Sequence, residues 1–461
     1  MRTEMIDVSK MSAALRADLM RLGLMQPVKK NAAPDTCEAH IDLCLFLPLL
    51  SDHDIRLVPM VRDGCPVQFC TGTLKINIAG DWRAGRNANV IPAGGQADTL
   101  RSAAFGCLGE LAERLSLCRA GEDDQRIVVR QELLPEVEIA NLLGLSETQS
   151  RRAARRLADG GKKLDAKTPD WGCVSESHVV LRRLQGEEVV QCPSFGILFR
   201  DLDLGKGQEF GFASTVGCAV WHSHEGARRR ALLELVERDA VGQAWYNRLG
   251  ITHIPREFVD PVLGEVLCGF LDGEDREWRL FSVDTDFEVH VVIAISYEPD
   301  GKMCAFGSAA GLNMPAACNA AVEEMLQSEN ALVLMDRAYP VDTGATTSAT
   351  NIPRQLAYAR QKSILDDLPI RTAATSHPAR HDACFTHEDL LRSCMDQNIE
   401  IWEFDATRAD LNIPCVKLIS KDLCSWEPRF GKKRLYDGVV RRGLRRAPGT
   451  EDEFQKRPFP F

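Results

Sequence analysis

The chain has 461 residues, 44% of them hydrophobic and 26% charged, with a formal net charge of -10. These are the values of a folded soluble protein of one large domain or two to three average ones, and the acidic balance argues against a nucleic-acid binder. The start, Met1-Arg2-Thr3-Glu4, is acidic where a signal peptide would be apolar, and the apolar run Ile41–Leu50 is far too short to cross a bilayer.

Residues 6–24 place Met11, Ala14, Leu15, Leu19 and Leu22 at three- and four-residue spacing, which predicts a helix. A Pro- and Ala-containing link, Asn31–Pro34, follows. Residues 41–80 predict short strands, broken at Arg62-Asp63-Gly64 and at Cys70-Thr71-Gly72-Thr73. Asn87–Gly95 carries Pro92, Gly94 and Gly95 and reads as a loop; a helix then runs from about Thr99 to Cys118. Residues 131–168 predict helix with a solvated basic face of Arg151, Arg152, Arg155 and Arg156. Residues 176–200 alternate about Gln185-Gly186-Glu187, which predicts a hairpin.

A long helix is expected over Glu225–Leu249, strands over Arg279–Val283 and Val289–Ser296, and a further helix over Pro315–Met335. Residues 340–380 are mixed. Residues 387–397 are helical, Glu400–Phe404 and Pro414–Ile419 are strands, and the basic run Arg429–Arg446 reads as a solvated surface that would otherwise suit an acidic leader peptide. Strands interleaved with helices give an α/β or α+β class. The 16 cysteines include no Cys-x-x-Cys pair and lie mostly in apolar runs, as in Phe105-Gly106-Cys107-Leu108. They read as buried thiols in a reduced, cytoplasmic compartment.

One segment repeats. Glu110-Leu111-Ala112-Glu113-Arg114 recurs as Glu234-Leu235-Val236-Glu237-Arg238, and a third helix offers Glu324 and Gln327. Spacing of i and i+3 puts each pair on one helix face. The flanks are apolar: Ala104, Phe105, Leu108, Leu111 and Leu115 around the first pair, Ala231, Leu232, Leu233, Val236 and Ala240 around the second. Carboxylates on such helices need a neutralising cation. Arg114 and Arg238 can serve one each, and magnesium, with its preference for oxygen ligands and phosphates, suits the surplus. No Gly-x-x-x-x-Gly-Lys-Ser/Thr loop occurs, so a nucleotide site would rest on metals held by carboxylates.

These helices resemble the YcaO family of ATP-using enzymes over about residues 94–461. Ala97–Arg114 resembles the family's opening helix, with Gly106 at its serine position. Ser214-Thr215-Val216-Gly217-Cys218-Ala219, leading to Glu234-Leu235-Val236-Glu237-Arg238-Asp239, is the most specific match. Gly307–Gly311 with Ala317–Gln327 is similar to the Glu-x-x-Gln helix, and Phe404–Pro414 to a strand-turn-strand signature. The chain departs from the pattern at Gly106, Val216 and Gln96.

The resemblance implies a YcaO-type fold of mixed sheets packed by helices, with ATP and Mg2+ as cofactors in a site lined by helix glutamates. It divides the chain into an N-terminal helical and strand segment, residues 1–70, and a catalytic domain, residues 71–461. It makes Glu113, Glu237 and Glu324 metal ligands, and Glu110, Arg114, Ser214, Glu234, Arg238 and Gln327 nucleotide contacts. The ending Pro458-Phe459-Pro460-Phe461 resembles the family's proline-rich terminus, which reaches the active site, so Pro460 and Phe461 are expected to be catalytic. The implied reaction is azoline formation in a ribosomally made precursor peptide: a Cys, Ser or Thr side chain attacks a backbone carbonyl, and phosphorylation turns the amide oxygen into a leaving group. Relatives that use an external nucleophile to make a thioamide or amidine, or that act only as scaffolds, are the alternatives. The implied partners are the precursor peptide, a leader-peptide-binding protein and a flavin-dependent dehydrogenase, with a homodimer inside a synthetase complex.

Overall fold

A computed structural model describes residues 2–28, 35–76, 90–159, 161, 164–165, 167, 169–200, 212–249, 251–340, 352–368, 370–371 and 381–461. The expected link Asn31–Pro34 and much of the mixed stretch 340–380 lie outside them.

The N-terminal part opens with strand β1 (Thr3–Asp7) and helix α1 (Ala13–Arg21), followed by β2 (Met25–Pro27) and β3 (Thr36–His40), in a sheet ordered β1-β3-β2. The helix predicted over 6–24 is shorter than its apolar spacing because Ser12 caps it, accepting from Leu15 N, and Gly23 follows it at φ 69°. Residues 41–52, expected as strand, form a 3-10 turn and helix α2 (Leu47–Asp52), whose first turn holds Pro48. Three antiparallel strands follow: β4 (Asp54–Met60), β5 (Gln68–Lys75) and β6 (Val90–Ala97). The break expected at Cys70–Thr73 is instead the middle of β5. Gly72 is there for packing: a Cβ on it would stand 2.6 Å from Cys107 Sγ. Likewise the expected loop Asn87–Gly95 is strand from Val90 onward.

Helix α3 (Leu100–Ser116) packs on β5 and β6. Its buried face joins Leu15, Leu19, Leu57 and Leu74 in one core, so the division at residue 70 falls inside β5 and inside a shared core. The helix predicted over 131–168 is two: α4 (Ile139–Leu143), closed by Gly144 at φ 72°, and α5 (Glu147–Asp159). Between α3 and α4 lies the short strand β7 (Val128–Val129); beyond α5 comes the hairpin β8 (Ser177–Arg183) and β9 (Val189–Pro193). Strand β10 (Cys218–Val220) leads into the long helix α6 (His224–Asn247).

Strand β11 (Ile251–His253), helices α7 (Arg256–Leu263) and α8 (Glu265–Gly273), and strands β12 (Glu277–Val283), β13 (His290–Tyr297) and β14 (Ala305–Gly311) precede helix α9 (Met314–Ala338). Two short helices, α10 (Arg354–Gln361) and α11 (Ile364–Asp367), strand β15 (Ile370–Arg371), helix α12 (His387–Asp396) and strands β16 (Ile401–Asp405) and β17 (Cys415–Ser420) complete the sheets. These are ordered β14-β13-β12-β11-β15 and β10-β17-β16-β8-β7, with β9 paired to β8. The largest core, around Ala231, Leu235, Phe281 and Val291, sits between α6 and both sheets. The mixed α/β class is as expected. The basic run is only in part a solvated face: Lys433, Arg441 and Arg446 are exposed, but two of its cations turn inward. Lys432 is buried and donates to the carbonyls of Leu142 and Ser420, and the buried Arg434 pairs with Asp239 and Asp286. Among the described residues, no helix is long and apolar enough to cross a membrane.

Candidate active site

The site grows from one local plan used three times. Helices α3, α6 and α9 begin at Thr99, Ser223 and Asn313, whose side chains accept from the amides of Ser102, Gly226 and Ala316. Each helix leans on the strand segment before it through a glutamate. Glu110 accepts from Gly94 N at 2.6 Å, Glu234 from Gly217 N at 3.0 Å, and Glu324 from Ser308 N at 2.8 Å. Close approach needs glycine: a Cβ at Gly95 would lie 2.1 Å from Ala103 O, and one at Gly307 would lie 2.3 Å from Ala321 O. Gly94 faces the Gln327 carboxamide, which a Cβ would strike. These glycines answer to the helices beside them, not to a turn.

The three helices converge their acids. Glu110 and Glu234 repel Glu113, and Glu324 and Glu234 repel Glu237. Burial, reinforced by Cys218, Glu234 and Glu110, pushes the Glu113 carboxyl well above the usual range. Burial pushes Glu237 up to about 7, against the pull of Arg238; the glutamates at 324 and 234 add to the rise. Burial also raises Glu324, again opposed by Arg238. Glu237 is 7% exposed and is held against strand β14: its carboxylate accepts from Ser308 Oγ at 2.6 Å and from Ala310 N at 3.2 Å.

Two arginines serve this set. Arg114 pairs with Glu110 and donates to Pro92 O at 2.8 Å. Arg238 pairs with Glu237, and with Glu234 at 3.2 Å. Burial works against its charge, but Glu237, Glu234 and Glu324 hold its pKa above the ordinary arginine value. Its guanidinium lies 3.7 Å from the Trp426 ring centroid.

A cavity of about 550 Å3 opens beside these acids. Glu110, Glu113 and Glu234 line one part; Phe46, Phe105, Trp221 and Arg230 line another, with Arg230 3.6 Å from the Trp221 centroid. Gly106 is on its wall and has room around it, the nearest atom to an added Cβ being Gly95 Cα at 3.7 Å. Two buried polar atoms at the site have no hydrogen-bond partner: the acceptor Gln327 Oε1 and the donor Arg238 Nε. Among the described residues no three acids stand close enough to hold a metal ion by themselves. The raised carboxyls of Glu113, Glu237 and Glu324, an orphaned carbonyl oxygen and an orphaned N–H fit a magnesium ion that shares its ligands with a nucleotide's phosphates.

The structure brings Glu110, Glu113, Glu234, Glu237, Glu324, Arg114, Arg238 and Gln327 together. Ser214 stands apart from the cavity: its hydroxyl donates to Glu427 at 2.6 Å and accepts from Val216 N. Pro460 is buried, and Phe461 stacks on Phe306 with ring centroids 4.8 Å apart. Sequence reading missed Lys417. It is 3% exposed and donates to the Ser214 and Val216 carbonyls, bracing the turn that carries Gly217. The signal was a lysine inside the strand Cys-Val-Lys-Leu-Ile-Ser, every residue of which is buried. Trp221 and Trp426 had no sequence signal, since their roles depend on long-range contact.

A family model described as YcaO cyclodehydratase, ATP- and Mg2+-binding, matches residues 94–424. No match was found among curated proteins. Among solved structures, a heterocyclase in complex with substrate and cofactor is 20% identical, with a TM-score of 0.70, over 90% of this chain and 56% of its own. YcaO from Methanopyrus kandleri, bound with AMPPCP and Mg2+, is 16% identical with a TM-score of 0.51, over 86% of this chain and 89% of its own. The E. coli microcin synthetase McbBCD complex contributes a chain 15% identical, TM-score 0.52, over 95% of this chain and 100% of its own. These likenesses show the fold, and this chain spans little more than half the heterocyclase's length. With the family model covering most of the sequence, the chain belongs to the YcaO cyclodehydratase family, with ATP and Mg2+ as its cofactors.

Proposed function

We propose that this chain is an ATP-dependent cyclodehydratase that converts Cys, Ser or Thr residues of a ribosomally made precursor peptide into thiazolines and oxazolines. The observation that carries the reading is the set of five glutamates drawn from three helices, Glu237 buried and the other four half-buried, with a cavity alongside. When bound, ATP supplies the phosphoryl group that makes an amide oxygen a leaving group, and Mg2+ offsets the charge on its phosphates. Glu113, Glu237 and Glu324, whose carboxyls burial disfavours in the ionised form, would give up their protons to hold the metal. Glu110 and Glu234 are fixed by strand amides and would keep the metal-binding face rigid. Arg238 would turn its free Nε–H, and Arg114 its guanidinium, to phosphate oxygens. Gln327 would contribute its unpaired carbonyl. Phe46, Phe105 and Trp221 offer the base a flat apolar wall.

The likeness to a substrate-bound heterocyclase and to a microcin synthetase complex supports a peptide substrate and partner proteins; a leader-binding protein among those partners is part of the proposal. A flavin-dependent dehydrogenase acting on the azoline, and a homodimer within such a complex, belong to the same reading. Pro460 and Phe461 belong to this reading as the tail residues that would approach the reacting amide; Phe461 packs with Phe306 and Trp245. The test is mass spectrometry of a candidate precursor incubated with the chain, its partners, ATP and magnesium. Loss of one water per ring with phosphate release is expected, and Glu234→Gln or Glu237→Gln should abolish both. Exchange of sulfur for oxygen would assign the chain to thioamide formation instead. Peptide binding without any ATP-dependent mass change would leave it a scaffold.

A further inference from the structure

Residues beyond 424 lie outside the family-matched region, yet one of them touches the site. Trp426 carries the Arg238 guanidinium on its ring at 3.7 Å and packs parallel to Phe459, 4.7 Å away at 8°. The ring is firmly seated. Its carbonyl accepts from Tyr246 Oη at 2.6 Å, and the preceding residue lies so close to α6 that a Cβ on Gly242 would stand 2.7 Å from Ser425 O. The next residue, Glu427, is tied to Ser214. Phe459 in turn stands edge-on to Trp245 and Phe306, and Phe461 stacks on Phe306 and meets Tyr358. The chain end is pinned further by Trp245 Nε1 donating to Arg457 O at 2.8 Å and by the Arg457–Asp367 ion pair.

Arg238 is a long side chain beside glutamates on two helices, with its Nε–H unpaired. Its two carboxylate contacts fix the terminal nitrogens, but the tilt of the guanidinium plane is set by the flat ring it lies on. A planar cation over an aromatic face is both attracted and oriented. We propose that Trp426 is the positioning residue that aims Arg238 at the nucleotide's phosphates, and that docked Phe459 completes it, so that nucleotide binding and seating of the C-terminal tail are thermodynamically coupled. This rests on the nucleotide site described above. Coupling of two binding events is reciprocal: what the tail does for the nucleotide, the nucleotide does for the tail.

The test uses the full chain, magnesium and a non-hydrolysable ATP analogue, read by calorimetry and by hydrogen exchange of the Phe459 and Phe461 amides. Phe459→Ala and Trp426→Leu should each weaken nucleotide binding about tenfold, an effect the size of one desolvated cation–aromatic contact. Phe459→Tyr and Trp426→Phe, which keep the stacked faces, should bind within about threefold of the wild type. Nucleotide should slow exchange at both tail amides in the wild type. Wild-type affinity in folded Phe459→Ala and Trp426→Leu, with tail exchange unmoved by nucleotide, overturns the proposal. If the alanine and leucine variants fail to fold, the wild-type exchange result decides alone. Absence of nucleotide binding by the wild type removes the nucleotide site itself, and the proposal with it.

Discussion

Glu237 shows how one side chain joins fold and chemistry. It hydrogen-bonds Ser308 and Ala310, so it ties α6 to β14, and it pairs with Arg238. Its carboxyl is nonetheless held up to about 7, because burial resists the charged form more than its partners favour it. The sign of the linkage follows. A carboxyl whose folded pKa exceeds its unfolded one stabilises the fold fully below the unfolded value of 4.5, and that contribution is lost as pH rises through about 7. The metal-free protein should therefore lose melting temperature between about pH 5 and pH 8, more than Glu237→Gln does. Added Mg2+ should restore it on the alkaline side. Differential scanning fluorimetry across that range checks this, and identical profiles for the two proteins would remove the role given to Glu237. The same residue was legible in the sequence, since Glu-Leu-x-Glu-Arg occurs twice with apolar flanks. Lys417 was not, because its only mark is a charge in an otherwise apolar strand.

At the scale of elements, the three helices of the site were read well and the glycine-bearing strands β5 and β6 beside α3 poorly. Helices α3, α6 and α9 have strong periodic patterns and clear capping residues, so Thr99–Cys118, Glu225–Leu249 and Pro315–Met335 landed close to their bounds. Gly72, Gly94 and Gly95 misled the reading because a glycine in a turn and a glycine under a helix look alike in one dimension. The distinction has consequences. In Gly95→Ala the new methyl would overlap the backbone of α3 at Ala103 and Cys107. It should destabilise the fold by about 2–4 kcal/mol, or displace Glu110 from the site. Gly106→Ser, one turn along the same helix, meets only ordinary contact and puts a hydroxyl at the cavity wall. It should change stability by under about 1 kcal/mol. Urea titrations of the two variants separate them; equal stabilities would show that β6 and α3 do not press together as described.

Across the whole molecule, the C-terminal segment returns to close the back of α6. Asp239, one residue beyond Arg238, is fully buried and accepts from Cys424 N, Gln243 and Arg434, and Arg434 reaches on to Asp286. This is why the basic run Arg429–Arg446 is only in part the solvated face its composition suggested: Lys433, Arg441 and Arg446 are exposed, but Arg434 answers two distant aspartates that sequence alone cannot place beside it. Arg434→Met removes the partner and leaves Asp239 charged in the core. The expected loss is about 3–5 kcal/mol. Asp239→Asn with Arg434→Met should recover part of that loss, and chemical denaturation of the single and double variants measures it. If the single variant is as stable as the wild type, the segment is not anchored through this network.

All three scales meet in the claim that glutamates from α3, α6 and α9 hold ATP through magnesium. Calorimetry of ATP binding with and without Mg2+ tests that claim most directly, applied to the wild type and to Glu113→Gln, Glu237→Gln and Glu324→Gln. The account predicts binding that requires Mg2+ in the wild type, release of protons that grows as pH falls below about 7, and at least tenfold weaker binding in each variant. Metal-independent binding, or unchanged affinity in all three folded variants, would contradict it.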